Sequence, residues 1–178
     1  MPWSGSQASS FPDRYDADIK QAVNLYWVNY PDWLAWKAQL YQESRLNPKA
    51  VSPVGAAGLA QFMPGTWRDV AHRMSFPHGT SPHEAAFAIE AGAYYMATLS
   101  AQWRAPRPAL DRHRLAQASY NAGIGHIVAA QKRCGNPNGY AAIMACLPAV
   151  TGQHSSETLA YVGLIAHWRD QMALEGAR

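Results

Sequence analysis

A chain of 178 residues has the length of one domain and room for a substantial core. Hydrophobic residues make up 48% and charged residues 15%, which excludes an intrinsically disordered chain. The net charge of +3 is a modest basic bias that suits an anionic polymer without identifying one. Lys and Arg are scattered, so no dedicated nucleic-acid arm is present.

Residues 1–14 are polar and carry Pro, Gly and Ser, which reads as a loose leading arm before one domain over residues 15–178. The N-terminus lacks the basic and apolar regions of a signal peptide, and no apolar run is long enough to span a bilayer. The expectation is a soluble product made in the cytoplasm without stable membrane insertion, or one from which a leader has been trimmed.

From there helical patterning dominates. Residues 16–30 read as a helix closed by Pro31. Residues 32–46 read as the next, capped by Asp32 and stopped near Asn47 because Pro48 disfavours the α conformation before it. Residues 66–74 form a short helix that Thr66 could cap. In residues 81–103, Ser81 reads as N-cap, Pro82 as the first helical position, and Glu84 as the partner in a capping box. The apolar stripe there runs Ala85, Ile89, Gly92, Met96, Leu99, Trp103.

After Pro106 and Pro108, residues 111–122 read as a helix capped by Asp111 and stopped at Gly123. Residues 125–134 read as another, ended by Gly135. Residues 155–175 close the chain, with Leu159, Val162, Ile165 and Met172 on one face. No useful strand alternation and no repeat occurs, so the fold class is all-α, with room for a minor β-hairpin.

Two cysteines, Cys134 and Cys146, are too few for a disulfide scaffold. They could close one loop or stay as small buried thiols, and without a visible leader the reduced form is expected. The seven histidines, His72, His78, His83, His113, His126, His154 and His167, show no metal-ligand spacing, so neither metal nor cofactor is expected.

One acid stands out. Trp33, Trp36, Leu40 and Glu43 fall at steps of three, four and three, which places the Glu43 carboxylate in line with a core-facing stripe. Burial penalises the charged form and raises the pKa, as a general acid at neutral pH requires. A plain ion pair or loop cap would explain the position equally well. The loop that follows, "SPVGAAGLAQFMPGT", has Gly55 and Gly58 where a backbone or ligand can approach closely. In it Gln61 can donate and accept hydrogen bonds, and Met63 offers an adaptable apolar wall.

Glu43-Ser44, then "GAAGLAQFMPGTW", then "ASYNAG" at 118–123, then "ETLAYV" at 157–162 resemble the motif series of the lytic transglycosylases. The likeness is to the soluble, lysozyme-like domain of glycoside hydrolase family 23, and it covers roughly residues 16–172. Each block alone is weak, but four in the family's order are specific. Ala60 departs from the pattern, since the family's block usually has methionine there as an apolar wall of the groove. Residues 134–154 look less family-like and read as a local elaboration.

The resemblance implies a peptidoglycan-cleaving enzyme in which Glu43 is the catalytic acid and Ser44 helps to orient the carboxyl group or the substrate. Gln61 and Met63 would line the glycan groove, and Tyr120 and Asn121 would reach the substrate near the acid. Tyr161 would also contact substrate, while Glu157 would support the motif loops. Read as ordinary structure, Tyr120 and Tyr161 could be packing aromatics, Asn121 a helix-end turn, and Glu157 an acid favoured by a helix N-terminus.

A glycosidase normally uses two carboxylates, and these blocks offer one. The resemblance implies that the sugar supplies the rest, through its acetamido oxygen and C6 hydroxyl, to leave a 1,6-anhydro-muramic acid end without water. The alternatives are a hydrolytic muramidase or chitinase using Asp69, Glu84 or Glu90 to activate water, and a non-catalytic wall-binding module. The expected partner is the glycan strand, acted on by a monomer in the periplasm. The expected setting is a phage endolysin or virion-associated lysin, with a bacterial autolysin or secretion-system helper as the other settings.

Overall fold

The computed structural model describes residues 10–176. Among these the chain forms α1 (Asp16–Tyr26), α2 (Trp33–Ser44), α3 (Pro64–Arg73), α4 (Ala85–Gln102) and α5 (Ala109–Ala122). Then follow α6 (Ile124–Arg133), α7 (Tyr140–Met144), α8 (Pro148–Thr151) and α9 (His154–Gly176). The all-α class holds. The place of a β-hairpin is taken by two isolated antiparallel bridges, Val51 with Ala57 and Ala57 with Phe62.

Helix α2 packs against both α1 and α9 and is the axis of the fold. Asp32 caps it as expected, accepting from the Ala35 N–H at 3.2 Å. Its far end stops at Arg45 and Leu46, which both take left-handed backbone angles (φ 55° and 58°) just ahead of Pro48. Trp36, Ala38, Gln39 and Leu40 are completely buried. Burying a large apolar side chain of this kind stabilises by about 1.5–3 kcal/mol. Trp36 fits because α4 presents Gly92, where a Cβ would lie 2.5 Å from the indole ring.

Several helix ends differ from the sequence reading, some for local and some for tertiary reasons. Helix α1 ends at Tyr26, four residues short of Tyr30, because Trp27 turns into the core and its Nε1 donates to the Ala93 carbonyl at 2.9 Å. Helix α3 starts at Pro64, whose fixed φ suits a first position, so Met63 and not Thr66 is the N-cap. The Glu84 carboxylate does accept from the Ser81 N–H at 2.8 Å, but this closes a turn and α4 begins only at Ala85. Asp111 lies inside the first turn of α5 and spends its Oδ2 on the Tyr140 N–H at 3.0 Å. Leu159 is largely exposed, while Val162, Ile165 and Met172 are buried as expected.

The expectation of reduced thiols fails. Cys134 and Cys146 are bonded, with Cα atoms 5.7 Å apart, and the bridge ties the end of α6 to the segment between α7 and α8. Those two short helices were not legible in the sequence. The leading arm is anchored where it is described: Phe11 is buried, edge-on to Tyr41 with ring centroids 5.1 Å apart. Residues 1–9 of that arm lie outside the described residues.

Candidate active site

Glu43 is the second-last residue of α2, so its carboxyl sits at the negative end of the helix dipole. It is half-buried, and burial pushes its pKa from 4.5 up to about 7, against the opposing pull of one hydrogen bond. That bond comes from α9: the Tyr161 hydroxyl donates to Glu43 Oε1 at 2.5 Å. No carboxylate contributes to the shift. Glu90 accepts from the Tyr26 hydroxyl at 2.8 Å and Glu84 from the Ser81 N–H, so both are engaged away from Glu43.

The α2–α9 seam is locked around this pair. Trp168 Nε1 donates to Gln42 Oε1 at 2.9 Å, and the Arg45 guanidinium lies over the rings of Tyr41 and Trp168 at 4.6 and 4.9 Å. Such contacts fix the end of α2 against rotation, which keeps the carboxyl where burial can act on it.

The glycine-rich loop is held close to the acid by its own carbonyls. Ser44 Oγ donates to the Leu59 carbonyl at 2.8 Å, and the Tyr120 hydroxyl donates to the Ala60 carbonyl at 2.7 Å. Both side chains therefore grip the loop. Gly58 takes φ 78° and passes so near α4's leading turn that a Cβ would meet the Pro82 carbonyl oxygen at 1.8 Å. Gly55 also has a positive φ, 88°, but nothing crowds it.

Gln61 adopts φ 48° and directs its Nε2 to the Gly58 and Ala50 carbonyls at 2.9 and 3.3 Å. Its Oε1 has no partner among the described residues. Met63 is 44% exposed and forms an apolar shelf. Ala60 is completely buried beside Gly92, so it presents no surface to a groove.

Asn121 is exposed and accepts from the Thr158 hydroxyl at 2.9 Å through Oδ1. Glu157, next to that threonine, has no hydrogen-bond partner among the described residues. It lines a cavity of about 320 Å³ with Asn121, His126, Thr151 and His154. The tie between the last two motif blocks is thus made by Thr158, which the sequence reading did not single out. Among the described residues no group of three or more His, Cys, Asp or Glu is placed to hold a metal ion. No helix there is long and apolar enough to cross a membrane.

Tyr161, Glu43, Tyr120 and Ser44 come together from α9, α2 and α5, while Met63, Asn121 and Glu157 lie on exposed surface around them. The sequence reading missed Gln39, wholly buried one turn before Glu43 on the same helix; its signal was a polar residue at the i−4 position within an apolar run.

Comparison with known proteins gives a consistent answer. The chain is 32% identical over 134 residues to the membrane-bound lytic murein transglycosylase F of Alcanivorax borkumensis, covering 73% of this chain and 27% of that protein. Its counterpart from Actinobacillus pleuropneumoniae is 31% identical over the same length. The fold is similar to that of the 70 kDa soluble lytic transglycosylase of Escherichia coli, with a TM-score of 0.68 and 28% identity over 90% of this chain and 24% of that one. A complex of the 70 kDa soluble lytic transglycosylase with bulgecin A gives a TM-score of 0.69 at 28% identity, over 92% and 25% of the two chains. The chain thus spans about a quarter of the length of these relatives. The family model for the transglycosylase SLT domain matches residues 34–143, a stretch that holds Glu43, the glycine-rich loop and Tyr120. The chain belongs to the transglycosylase SLT domain family.

Proposed function

We propose that residues 15–178 are a catalytic domain that cleaves the β-1,4 bond between N-acetylmuramic acid and N-acetylglucosamine in peptidoglycan, without water. The observation that carries this reading is Glu43: one carboxyl, held at a pKa of about 7 by burial, with a tyrosine donor and no carboxylate partner acting on it.

The steps follow from that single group. Protonated Glu43 gives its proton to the glycosidic oxygen, the bond to C1 breaks, and the N-acetylglucosamine hydroxyl departs. The neighbouring acetamido oxygen bonds to C1 and spreads the positive charge over an oxazolinium ring, which the Glu43 carboxylate offsets. Glu43, now a carboxylate, takes the proton from the C6 hydroxyl, and O6 displaces the acetamido oxygen to close the 1,6-anhydro ring. Glu43 ends protonated, ready for the next bond. A group with a pKa near the working pH is effective in both directions.

The other residues divide by what they touch. Tyr161 holds the carboxyl, while Ser44 and Tyr120 hold the loop that faces it. Met63 offers an apolar face to a sugar ring, and Gln61 Oε1 an acceptor for a hydroxyl or amide. Asn121, whose oxygen is taken by Thr158, is left with its amide N–H groups for the glycan. The peptidoglycan substrate is the one named in the relatives' own descriptions as murein.

The setting is the periplasmic wall, and the bonded Cys134–Cys146 pair suits such an oxidising compartment. The relatives reported above are bacterial, which weighs toward a bacterial enzyme over a phage lysin.

Since Glu43 must begin protonated, kcat/KM is expected to be flat below pH 7 and to fall about tenfold per unit above it. Clearing of purified cell walls, followed from acid to alkaline pH, measures this. A midpoint near the ordinary carboxylate value of 4.5 contradicts the assignment. The water-free outcome is tested by weighing the released glycan ends, since an anhydro end is one water lighter than a reducing end.

A further inference from the structure

Gln39 is completely buried, one helical turn before Glu43 on α2, and faces α4 and α9. A side chain there serving only to pack would be apolar, because burying an amide costs free energy unless its polar atoms are satisfied. Gln39 is only half satisfied. Its Nε2 lies 3.4 Å from Met96 Sδ, a weak acceptor, and its Oε1 has no partner among the described residues. The sulfur marks the donor side of the amide, and the Gln39 side chain acts on the buried Tyr161 hydroxyl in the sense of an N–H donor, opposing the rise in its pKa that burial causes.

We propose that Gln39 is a positioning residue: its amide N–H donates to the Tyr161 oxygen, so that the tyrosine's own hydrogen points to Glu43 Oε1 and the acid proton stays on Oε2. The inference rests on Glu43 being the acid, as argued above. A tyrosine oxygen that accepts from one side is fixed in the direction in which it donates. Turned over, the amide would present Oε1 to the same hydroxyl and compete with Glu43 for its hydrogen. The orphaned oxygen is the cost of the productive orientation.

The ionisable groups facing Glu43 are Tyr161 from α9 and Tyr120 from α5, with Tyr95 of α4 beside Tyr120. All three are held in their neutral form by burial, so no charged neighbour obscures the effect of Tyr161. The Tyr161 bond lowers the Glu43 pKa, and anything that loosens it lets that pKa rise.

The test is a titration of the Glu43 carboxyl carbon by NMR in four proteins: the wild type, Gln39→Met, Tyr161→Phe, and the double variant. Gln39→Met is expected to raise the midpoint by about half a unit while Tyr161 is present, and to change nothing once Tyr161 is phenylalanine. Its melting temperature should equal or exceed that of the wild type, since an orphaned polar atom has been removed. On solubilised glycan strands kcat should fall about tenfold with KM unchanged, because a misaligned carboxyl affects the chemical step and Gln39 has no exposed surface. An unmoved midpoint in the folded variant, or an equal shift in the Tyr161→Phe background, overturns the proposal. Gln39→Leu repeats every readout should methionine pack badly. The NMR titration reads the relay even if the wild-type protein cleaves nothing, so failure of the relay and failure of the enzymatic reading are separable.

Discussion

Glu43→Gln is expected to lose cell-wall cleavage by at least about 10³-fold, within the range that positioned acid–base groups supply. The amide keeps the shape and can still accept the Tyr161 hydroxyl hydrogen, so the fold should be unchanged. It can neither give a proton to the glycosidic oxygen nor take one from the C6 hydroxyl, and both halves of the proposed reaction stop together. The same variant should be more stable than the wild type in alkaline solution. In the wild type the folded state holds the Glu43 proton up to about pH 7, whereas the unfolded chain releases it near 4.5. The stabilisation present below pH 4.5 is therefore lost as pH rises through 7. Glutamine carries no such penalty, and the difference should reach about 2–3 kcal/mol above pH 7. Thermal melting from pH 4 to 9 with wall-clearing assays on the same samples measures both effects. An inactive variant with no gain in alkaline stability would mean that the carboxyl is not held neutral by burial. Substantial residual activity would remove Glu43 from its role.

Gly58→Ala has the next largest effect expected, and it acts through backbone contact. A Cβ at this position meets the Pro82 carbonyl oxygen at 1.8 Å, and the backbone angle of 78° is one that side-chain-bearing residues rarely adopt. Pro82 belongs to the turn that starts α4, tied by the Ser81–Glu84 hydrogen bond, so it cannot yield cheaply. The loop must move instead, costing about 3 kcal/mol. Movement there also displaces the Leu59 and Ala60 carbonyls from Ser44 and Tyr120, so activity should fall even where the protein is still folded. Gly55→Ala is the internal comparison. It has a similar angle, 88°, with nothing within 4 Å, and should cost only about 1 kcal/mol. Denaturant unfolding of the two variants side by side checks the contrast, and equal costs would show that the approach of Pro82 is not what demands a glycine.

The parts of this molecule that were legible in its sequence are those governed by neighbours along the chain. The three-and-four spacing of Trp33, Trp36, Leu40 and Glu43 put the acid on a buried face, and Asp32 caps that helix through a bond to Ala35. Gly123 closes α5 where expected, and at Gly58, though not at Gly55, another stretch of backbone approaches closely. What was not legible depends on partners far away in the chain. Trp27 ends α1 early to reach Ala93, and Asp111 leaves its capping position to hold Tyr140. The hydrogen bond from Tyr161 to Glu43 joins residues 118 positions apart. The four motif blocks placed these residues in one site only by resemblance. The pairing of Cys134 with Cys146 was missed because a thiol's redox state is not written in its flanking residues, whereas the distance between the two Cα atoms, 5.7 Å, permits the bond. Gln61 was read as lining the glycan groove and Ser44 as orienting the carboxyl group or the substrate; both side chains also donate to carbonyls of the loop.

The central claim is that one carboxyl serves as acid and then base, with the sugar's own hydroxyl in place of water. It is tested most directly by digesting purified peptidoglycan with the protein and determining the mass of the muramic acid ends. The expected result is ends one water lighter than the reducing sugar, with no label taken up when the digestion is run in heavy-oxygen water. Reducing ends carrying the heavy oxygen would show that water attacks C1, and would contradict the account.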